Sequence, residues 1–258
     1  MRTRRLSWAM ACVRSTGRVS RCRRARLRKV LEVRSLTGRG DRADSARSAP
    51  GVRRGIAERV TIALFHSMFG LRPVERAAAA RLRGCGYRVL VPDLFAGATV
   101  GGGEPPAWEE GFALMERVGW ETIVSRAEAA VRDLPPATVL FGVSMGAGVV
   151  GSLWPSRLDA AGVILLHAPA SVPRGVPRDT PVQLHVADDD PFAPREQLTA
   201  FRDSAASAGV DAKLYTYAGV EHFFIDPHLP DYDSRAAELA WRRSLALLDG
   251  LARRRDET

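Results

Sequence analysis

Lysine, cysteine and long apolar runs are all scarce in this sequence of 258 residues. Lys29 and Lys213 are the only lysines among 38 basic residues, a bias typical of a GC-rich coding sequence. The three cysteines, Cys12, Cys22 and Cys85, lack the number and spacing of a disulfide framework or a metal site, which fits a reducing cytoplasm. No run of 18 apolar residues occurs, so the sequence predicts no membrane-spanning helix and no membrane partner. We therefore expect a cytoplasmic protein.

Charge is distributed unevenly, so the net charge of +9 describes neither part of the chain. Residues 1–55 hold 17 Lys and Arg against 3 Asp and Glu, whereas the remainder holds 21 against 26. The basic segment is rich in Arg, Ser and Gly and has almost no apolar periodicity, which predicts a disordered extension. Residues 56–258 are long enough to form one α/β domain with a complete core.

Three interpretations of residues 1–55 stay open. The segment is either an arm that binds nucleic acid or a membrane surface through counterion release, a targeting segment, or an upstream in-frame extension of the gene. Thr3-Arg4-Arg5-Leu6 faintly resembles a twin-arginine signal, but the apolar stretch that follows is short and is broken by Arg14. The arginine bias favours the extension. The rest of the chain is mildly acidic, so we expect it to have no nucleic-acid partner.

Strands alternate with helices along the rest of the chain. This alternation predicts a doubly wound and mostly parallel sheet with helices on both faces. Strands are predicted near 59–65, 88–92, 138–143, 162–167, 182–187 and 213–217. Helices are predicted near 73–83, 108–118, 121–133, 145–154, 194–208 and 234–253. No internal repeat or second domain is indicated.

The most informative motif is Gly142-Val143-Ser144-Met145-Gly146, which follows an apolar strand and precedes a helix of small residues. This strand–turn–helix order is that of a nucleophile elbow, whose serine occupies a strained backbone conformation. A Cβ at Gly142 or Gly146 would clash with the neighbouring strand or helix. Ser144 is therefore predicted to be a nucleophile at the N-terminus of a helix, where developing negative charge is stabilised.

A serine nucleophile needs an acid and a histidine, which follow it in the chain in this fold. The strand at 182–187 is followed by three aspartates, Asp188 to Asp190, which are the candidates for the acid. The strand at 213–217 is followed by Ala218-Gly-Val-Glu-His222, so His222 is the candidate base. The other histidines lie before the nucleophile, at the end of or within strands, or beside a proline. They are His66, His167, His185 and His228.

A set of segments resembles the dienelactone hydrolase family over about residues 59 to 252. They are Phe69-Gly70, Gly86-Tyr-Arg-Val-Leu-Val-Pro-Asp-Leu94, the elbow, Asp190-Pro-Phe-Ala-Pro194, and Tyr217-Ala-Gly-Val-Glu-His-Phe-Phe224. The resemblance implies an α/β-hydrolase fold, with Ser144 as nucleophile, Asp190 as acid and His222 as base. It favours Asp190 because the family's acid stands four residues before a proline, here Pro194.

The resemblance also points to where the sequence departs from the family. The namesake enzymes use Cys at the elbow, a Glu at the position of Ser67, and arginines at positions that match Gly97 and Asp226. Without that cationic clamp, an anionic dienelactone substrate is disfavoured and ester hydrolysis remains. Asp226 would repel an anion, and we expect Arg72 to point to solvent.

The expected chemistry is hydrolysis of a small neutral ester or lactone through an acyl-enzyme, without cofactor or metal. The backbone N–H of Met145, and by resemblance that of Met68, would form the oxyanion hole. The pocket residues are expected to be apolar, although each could equally be core packing: Phe69, Leu71, Phe95, Trp108, Phe192 and Phe223.

Other functions remain open on the same sequence. An acyltransferase or a peptidase would use the same triad, and a non-catalytic binding protein would use the same fold. A metal-dependent hydrolase built on Asp188–Asp190 would need further ligands, and none has suitable spacing. The expected partner is a small molecule, and the expected oligomeric state is a monomer or homodimer.

Overall fold

Six parallel strands form the centre of the fold in the computed structural model, which describes residues 60–101 and 105–256. The strand order is β2-β1-β3-β4-β5-β6. The strands are β1 Thr61–Phe65, β2 Arg88–Leu90, β3 Val139–Val143, β4 Gly162–Leu166, β5 Val182–Ala187 and β6 Ala212–Tyr217. The predictions for residues 1–55 lie outside the described residues and stay predictions.

Six helices connect or follow these strands within the described residues. They are α1 Pro73–Gly84, α2 Trp108–Val118, α3 Trp120–Val131, α4 Met145–Leu153, α5 Arg195–Ala208 and α6 Ser234–Asp256, with a short 3₁₀ turn at Trp154–Ser156. None of them is long and apolar enough to cross a membrane. The predicted α/β-hydrolase architecture is confirmed, and all six strands are parallel.

The inner strands are buried along their whole length. Every residue of β1, β3, β4 and β5 is buried, whereas β6 at the sheet edge alternates between partly exposed and exposed positions until its last residue. Parallel strands covered on both faces read as continuous apolar runs, as here. Because the ends of parallel strands coincide, the loops that follow β1, β3, β5 and β6 meet at one edge of the sheet.

The main apolar core lies between one sheet face and the helices α1 and α6. Ile62 and Leu64 of β1 and Phe141 of β3 pack there with Leu82 of α1 and Leu248 of α6. Helix α4 contacts β1 and β3 and contributes other buried residues, so helices cover both faces. The predicted ends differ from the observed ones by up to three residues, and the largest difference is at the end of α6. For example, β2 stops before Pro92, which has no N–H for a strand ladder.

Candidate active site

The turn between β3 and α4 places Ser144 in a strained conformation. Its φ is +51° and its ψ is −110°, although it is not a glycine. A Cβ on Gly142 would lie 2.5 Å from the Gly146 carbonyl oxygen, and one on Gly146 would collide with the Phe65 carbonyl. Both glycines are therefore required by space, as the motif predicts. The backbone N–H of Ser144 donates to the Leu166 carbonyl at 2.8 Å, which fixes the turn against β4.

Ser144, His222 and Asp190 form one chain of hydrogen bonds. The His222 Nδ1–H donates to Asp190 Oδ2 at 2.7 Å, and this leaves Nε2 as the acceptor for the Ser144 hydroxyl at 2.9 Å. All three side chains are buried. The fold thus brings together a hydroxyl, an imidazole and a carboxylate in the geometry of nucleophile, base and orienting acid.

The three consecutive aspartates after β5 occupy different environments. Asp190 is buried, and its Oδ1 also accepts the backbone N–H of Phe192 at 2.8 Å. Asp188 and Asp189 are exposed, and Asp189 has a left-handed φ of +58°. This turn directs the third carboxylate inward and leaves its two neighbours in water. Within residues 60–101 and 105–256, no three His, Cys, Asp or Glu side chains are grouped so that they could hold a metal ion.

The two expected oxyanion donors lie at the ends of different loops. Met145 is the first residue of α4, and backbone N–H groups in the first turn of a helix have no partner inside that helix. Met68 is buried in the loop after β1, where Gly70 N donates to the Ser67 carbonyl at 3.2 Å and turns the chain. Their role as an oxyanion hole stays a prediction.

Aromatic rings surround the imidazole of His222. Ring centroids of Phe223, Phe192 and Trp108 lie 4.6, 4.8 and 5.4 Å from that of His222. Trp108 stacks on Phe192 at 4.7 Å with parallel planes. We call the five rings that contact one another here the aromatic cluster: Phe69, Trp108, Phe112, Phe192 and Phe223. Together they shield the imidazole from water on one side.

Not all predicted pocket residues join this cluster. Phe69, Trp108, Phe192 and Phe223 do, whereas Phe95 packs edge-on against His66 at 4.9 Å. Leu71 is buried in the loop after β1. Phe112, which was not predicted, belongs to the cluster because it lies one helical turn beyond Trp108 on α2. That four-residue spacing was visible in the sequence.

The prediction that Arg72 points to solvent is wrong. Its guanidinium is only 6% exposed and forms an ion pair with the carboxylate of Asp226, itself 4% exposed. It also lies over the Phe69 ring, 5.1 Å from the centroid. The reason is that an apolar loop and a buried carboxylate enclose the side chain. Asp226 therefore does not present an uncompensated negative charge to the site, and that part of the argument against an anionic substrate falls.

A second buried carboxyl group, that of Glu75, was missed by sequence reasoning. Its Oε1 accepts the Ser67 hydroxyl at 2.9 Å, and its Oε2 accepts the backbone N–H of Arg72 at 3.1 Å. Burial raises the pKa of Glu75, while the positive charge of Arg72 opposes that shift. We call these four side chains the polar clasp: Ser67, Arg72, Glu75 and Asp226. The position of Glu75 at the third residue of a proline-initiated helix was a usable signal.

His167 lies beside His222, whereas the sequence predicts only that it ends a strand. Its ring centroid is 5.3 Å from that of His222 and 5.0 Å from that of Phe224. Its φ is +73°, and neither ring nitrogen has a hydrogen-bond partner among the described residues. Burial, followed by the proximity of His222 and His185, sets the pKa of His167 well below its usual value, so the ring is neutral.

The remaining histidines have structural contacts. His66 Nε2 accepts the backbone N–H of Leu94 at 3.0 Å, and its pKa is lowered mainly by burial. His185 contacts the hydroxyl of Tyr217 at 2.8 Å, and burial lowers its pKa to about 3, with a smaller effect of Arg243. The exposed His228 lies in the loop after His222.

A cavity of about 240 Å³ lies on the α1 and α6 side of the site. It is lined by Leu64, Val143 and Leu166 at the carboxyl ends of three strands, by Phe223, and by three members of the polar clasp: Ser67, Glu75 and Asp226. Ser144 and His222 are not among its lining residues. The cavity therefore lies beside the loops after β1 and β6 and is not lined by the Ser144 hydroxyl or the His222 imidazole.

The family model described as "Dienelactone hydrolase family" matches residues 54–251 of the sequence. The chain belongs to the dienelactone hydrolase family. Membership makes the protein a hydrolase. The Ser144 hydroxyl occupies the elbow at which, by the resemblance given above, the namesake enzymes carry a thiol. No curated protein matches the sequence at a significant level.

Solved structures share the fold at low sequence identity. A dienelactone hydrolase-like promiscuous phosphotriesterase from metagenomic libraries has a TM-score of 0.61 and 20% identity, covering 75% of this chain and 87% of that chain. An α/β hydrolase from a Medee basin deep-sea metagenome library has a TM-score of 0.56 and 13% identity, covering 76% and 86%. At these identities the likeness shows the α/β-hydrolase fold alone.

Proposed function

We propose that the protein is a serine hydrolase that cleaves a small neutral ester or lactone through an acyl-enzyme. The observation that carries this proposal is the chain of hydrogen bonds from Ser144 through His222 to Asp190. A free serine hydroxyl is a weak nucleophile, and a neutral imidazole at 2.9 Å can accept its proton during attack. The family supplies the hydrolase activity, and this geometry supports the assignment of roles.

In the acylation step, Ser144 Oγ attacks the carbonyl carbon while its proton passes to His222 Nε2. Asp190 holds the Nδ1–H and stabilises the imidazolium ion that forms. The negative charge on the former carbonyl oxygen is stabilised by the N–H groups of Met145 and Met68. Each N–H group lowers the barrier by about 3 kcal/mol. His222 then protonates the leaving alcohol, which breaks the ester bond.

In the deacylation step, water takes the place of the alcohol. His222 accepts a proton from this water as it attacks the acyl-enzyme, and returns the proton to Ser144 Oγ when the carboxylic acid leaves. A lactone follows the same two steps, but its alcohol stays attached to the acyl group. The same acyl-enzyme would serve an acyltransferase or a peptidase, so the acceptor decides between these alternatives.

A neutral substrate is favoured by the charges around the site. A buried carboxylate on the substrate would need a cation or several N–H donors, or its desolvation would outweigh the gain from binding. Arg72 is a buried cation in the loop after β1, and Asp226 already neutralises it. An anionic substrate would have to compete with that carboxylate. The aromatic cluster beside His222 adds an apolar wall suited to an uncharged group.

The test is a panel of p-nitrophenyl acetate, p-nitrophenyl butyrate and simple lactones, run on the wild type and on Ser144→Ala. We expect turnover by the wild type, loss of it in Ser144→Ala, and covalent labelling of Ser144 by a fluorophosphonate probe, read as a mass shift. Ser152→Ala, on the exposed side of the same helix, is the matched control and should keep full activity. Unchanged turnover in Ser144→Ala would refute the proposal.

Substrate charge is tested by pairing each neutral ester with an analogue that bears a carboxylate. We expect kcat/KM to be at least about 10-fold higher for the neutral member, because the anion has to displace an existing ion pair. If the anionic member reacts faster and Arg72→Met removes its advantage, the substrate class assigned here is wrong. Adding an alcohol acceptor and analysing the products separates hydrolysis from acyl transfer.

A further inference from the structure

Two groups with proposed roles in the reaction, the Met68 N–H and the His222 imidazole, lie in loops outside the sheet. Met68 lies in the loop between β1 and α1, and His222 lies in the loop between β6 and α6. Each loop leaves the sheet at the carboxyl end of its strand. Their relative position therefore depends on contacts made beyond the strands, and an error of about 1 Å there can lower a rate about 100-fold.

The first loop is held by Glu75 at both of its ends. This carboxylate accepts the Ser67 hydroxyl at 2.9 Å and the Ser67 backbone N–H at 3.4 Å. It accepts the Arg72 backbone N–H at 3.1 Å with its other oxygen. One side chain of α1 thus fixes the residues immediately before Met68 and at the end of the loop.

The second loop is held around Asp226. The Asp226 backbone N–H donates to the Phe223 carbonyl at 2.9 Å, and its Oδ1 accepts the backbone N–H of His228 at 2.9 Å. Asp226 is therefore fixed to the residue that directly follows His222. Its other carboxylate oxygen, Oδ2, is left to face the first loop.

The Arg72 guanidinium joins the two loops. Its Nη2 donates to Asp226 Oδ2, and 154 positions separate the two residues in the sequence. Both side chains are more than nine-tenths buried, so water competes little with the pair and the attraction is stronger than at a surface. The guanidinium also lies over Phe69, the residue that follows Met68. The link thus reaches the residue next to Met68 in one loop and the residue next to His222 in the other.

The space beside the loops is not filled by side chains. The cavity of about 240 Å³ is lined by Ser67, Glu75 and Asp226, so on that side these residues face open volume. Close packing normally fixes buried loops, but it acts here on the other sides only. The polar contacts of the clasp therefore carry a larger part of the constraint.

Building on the proposed function, we propose that Arg72 and Asp226 are positioning residues. Their buried ion pair ties the loop that carries the Met68 amide to the loop that carries His222, and so sets the distance between the oxyanion donor and the base. This role differs from substrate binding, because both groups are occupied by each other. It also differs from simple stabilisation, because it predicts an effect on turnover that survives when stability is restored.

The experiment compares Arg72→Met, Asp226→Leu and the double variant Arg72→Met/Asp226→Leu. Each single variant leaves one buried charge unpaired and should lower the Tm, whereas the double variant removes both charges and should recover it. With p-nitrophenyl butyrate, we expect kcat of the double variant to stay about 10- to 100-fold below the wild type, as for a displaced oxyanion donor, with KM within about twofold. Arg72→Lys keeps a positive charge, so its kcat should lie between those of Arg72→Met and the wild type.

A second readout is independent of any substrate. The His222 Nδ1–H that bonds to Asp190 should give a far-downfield proton resonance in the wild type, and it should shift or broaden in the double variant. The matched control is Arg81→Met/Glu238→Leu, an exposed ion pair that also joins α1 to α6 and should leave kcat and the resonance unchanged. If the double variant regains the Tm together with wild-type kcat and resonance, the pair is only structural and the proposal is overturned.

Failure of the proposed function would look different. In that case Ser144→Ala would keep its turnover and the fluorophosphonate probe would not label Ser144, while the resonance would still report whether the histidine loop moved. A double variant with restored Tm and a displaced resonance would support the positioning role on its own.

Discussion

Two groups of side chains lie around the loops of the candidate site, and their contacts are of different kinds. The aromatic cluster touches the imidazole with rings whose centroids lie 4.6 to 5.4 Å away, and it makes no hydrogen bond to it that the described residues show. The polar clasp does not touch the imidazole. It acts on the backbone of the neighbouring loops through hydrogen bonds and one buried ion pair.

This difference separates two tasks of the site. Apolar rings can exclude water and accept an uncharged substrate, but they are tolerant of small shifts because dispersion contacts are not directional. Hydrogen bonds and a buried ion pair specify position more narrowly, and they fail more sharply when one partner is removed. Variants on the two sides should therefore lose different kinetic constants. The predictions below run from the largest expected effect to the smallest.

Asp190→Asn tests the hydrogen-bonded chain itself. The amide cannot hold the productive imidazole tautomer, so kcat should fall by about three to four orders of magnitude. Asp188→Asn and Asp189→Asn are the matched controls, because these carboxylates are exposed and should change kcat less than about threefold. Steady-state kinetics with p-nitrophenyl butyrate gives the answer. A comparable loss in Asp188→Asn would show that the wrong acid has been assigned.

His185 is a buried polar group that belongs to neither the aromatic cluster nor the polar clasp, and it tests how burial affects the pH dependence of stability. Burial lowers the pKa of His185 to about 3 in the folded state, whereas its ordinary value of 6.5 applies in the unfolded state. Stability from this group is therefore complete above about pH 6.5 and decreases as the pH falls, by about 2 kcal/mol between pH 7 and 5. Urea unfolding at pH 7, 6 and 5 should show a shallower pH slope for His185→Gln. Equal slopes would rule out this contribution.

Gly111→Ala tests the contact between helix α2 and the loop that carries Met68 and Phe69. A Cβ on Gly111 would lie 2.8 Å from the Phe69 ring and 3.0 Å from Met68 Cγ, so both side chains have to move. We expect kcat to fall about 10-fold, because the Met68 amide moves with its side chain. Gly84→Ala, where a Cβ meets nothing within 4 Å, is the control and should be neutral. Wild-type kcat in Gly111→Ala would indicate that the loop adapts.

Trp108→Leu tests the aromatic cluster directly. Loss of the stacked contact with Phe192 should raise KM for p-nitrophenyl esters about 5- to 10-fold, which corresponds to about 1 kcal/mol, and should change kcat less. Trp241→Leu, on α6 where the ring packs against Phe141 and Arg81, serves as the comparison and should affect the Tm but not KM. If kcat falls and KM does not, the cluster positions His222 rather than contacting substrate.

Removal of residues 1–55 should affect neither the aromatic cluster nor the polar clasp. The segment is strongly basic, with 17 Lys and Arg against 3 Asp and Glu, while residues 56–258 are mildly acidic and contain every element described here. Activity and Tm are expected to stay within error of the full chain. A large loss of either would show that the segment belongs to the domain. Salt-dependent binding to nucleic acid that disappears with the segment would favour the interpretation as a basic arm.

Sequence reasoning located the elements well, because apolar runs, prolines and glycines act locally. β5 and α2 have the predicted bounds, and α1 begins at Pro73 as expected. It failed for Arg72, since an arginine between a glycine-containing turn and a proline is usually exposed. The partner that buries it lies 154 residues away, and single-sequence patterns carry no information on such pairs.

The sequence by itself determined the glycine-flanked turn at Ser144, the strand ends at which the candidate nucleophile, acid and base lie, and the parallel sheet, because each rests on local sterics and on strand and helix periodicity. Tertiary structure decided which side chains surround His222, that Arg72 points inward, and that His167 lies beside the imidazole. These outcomes follow from loops that converge at one sheet edge. Their contacts depend on how separate segments pack in three dimensions, which local propensity does not specify.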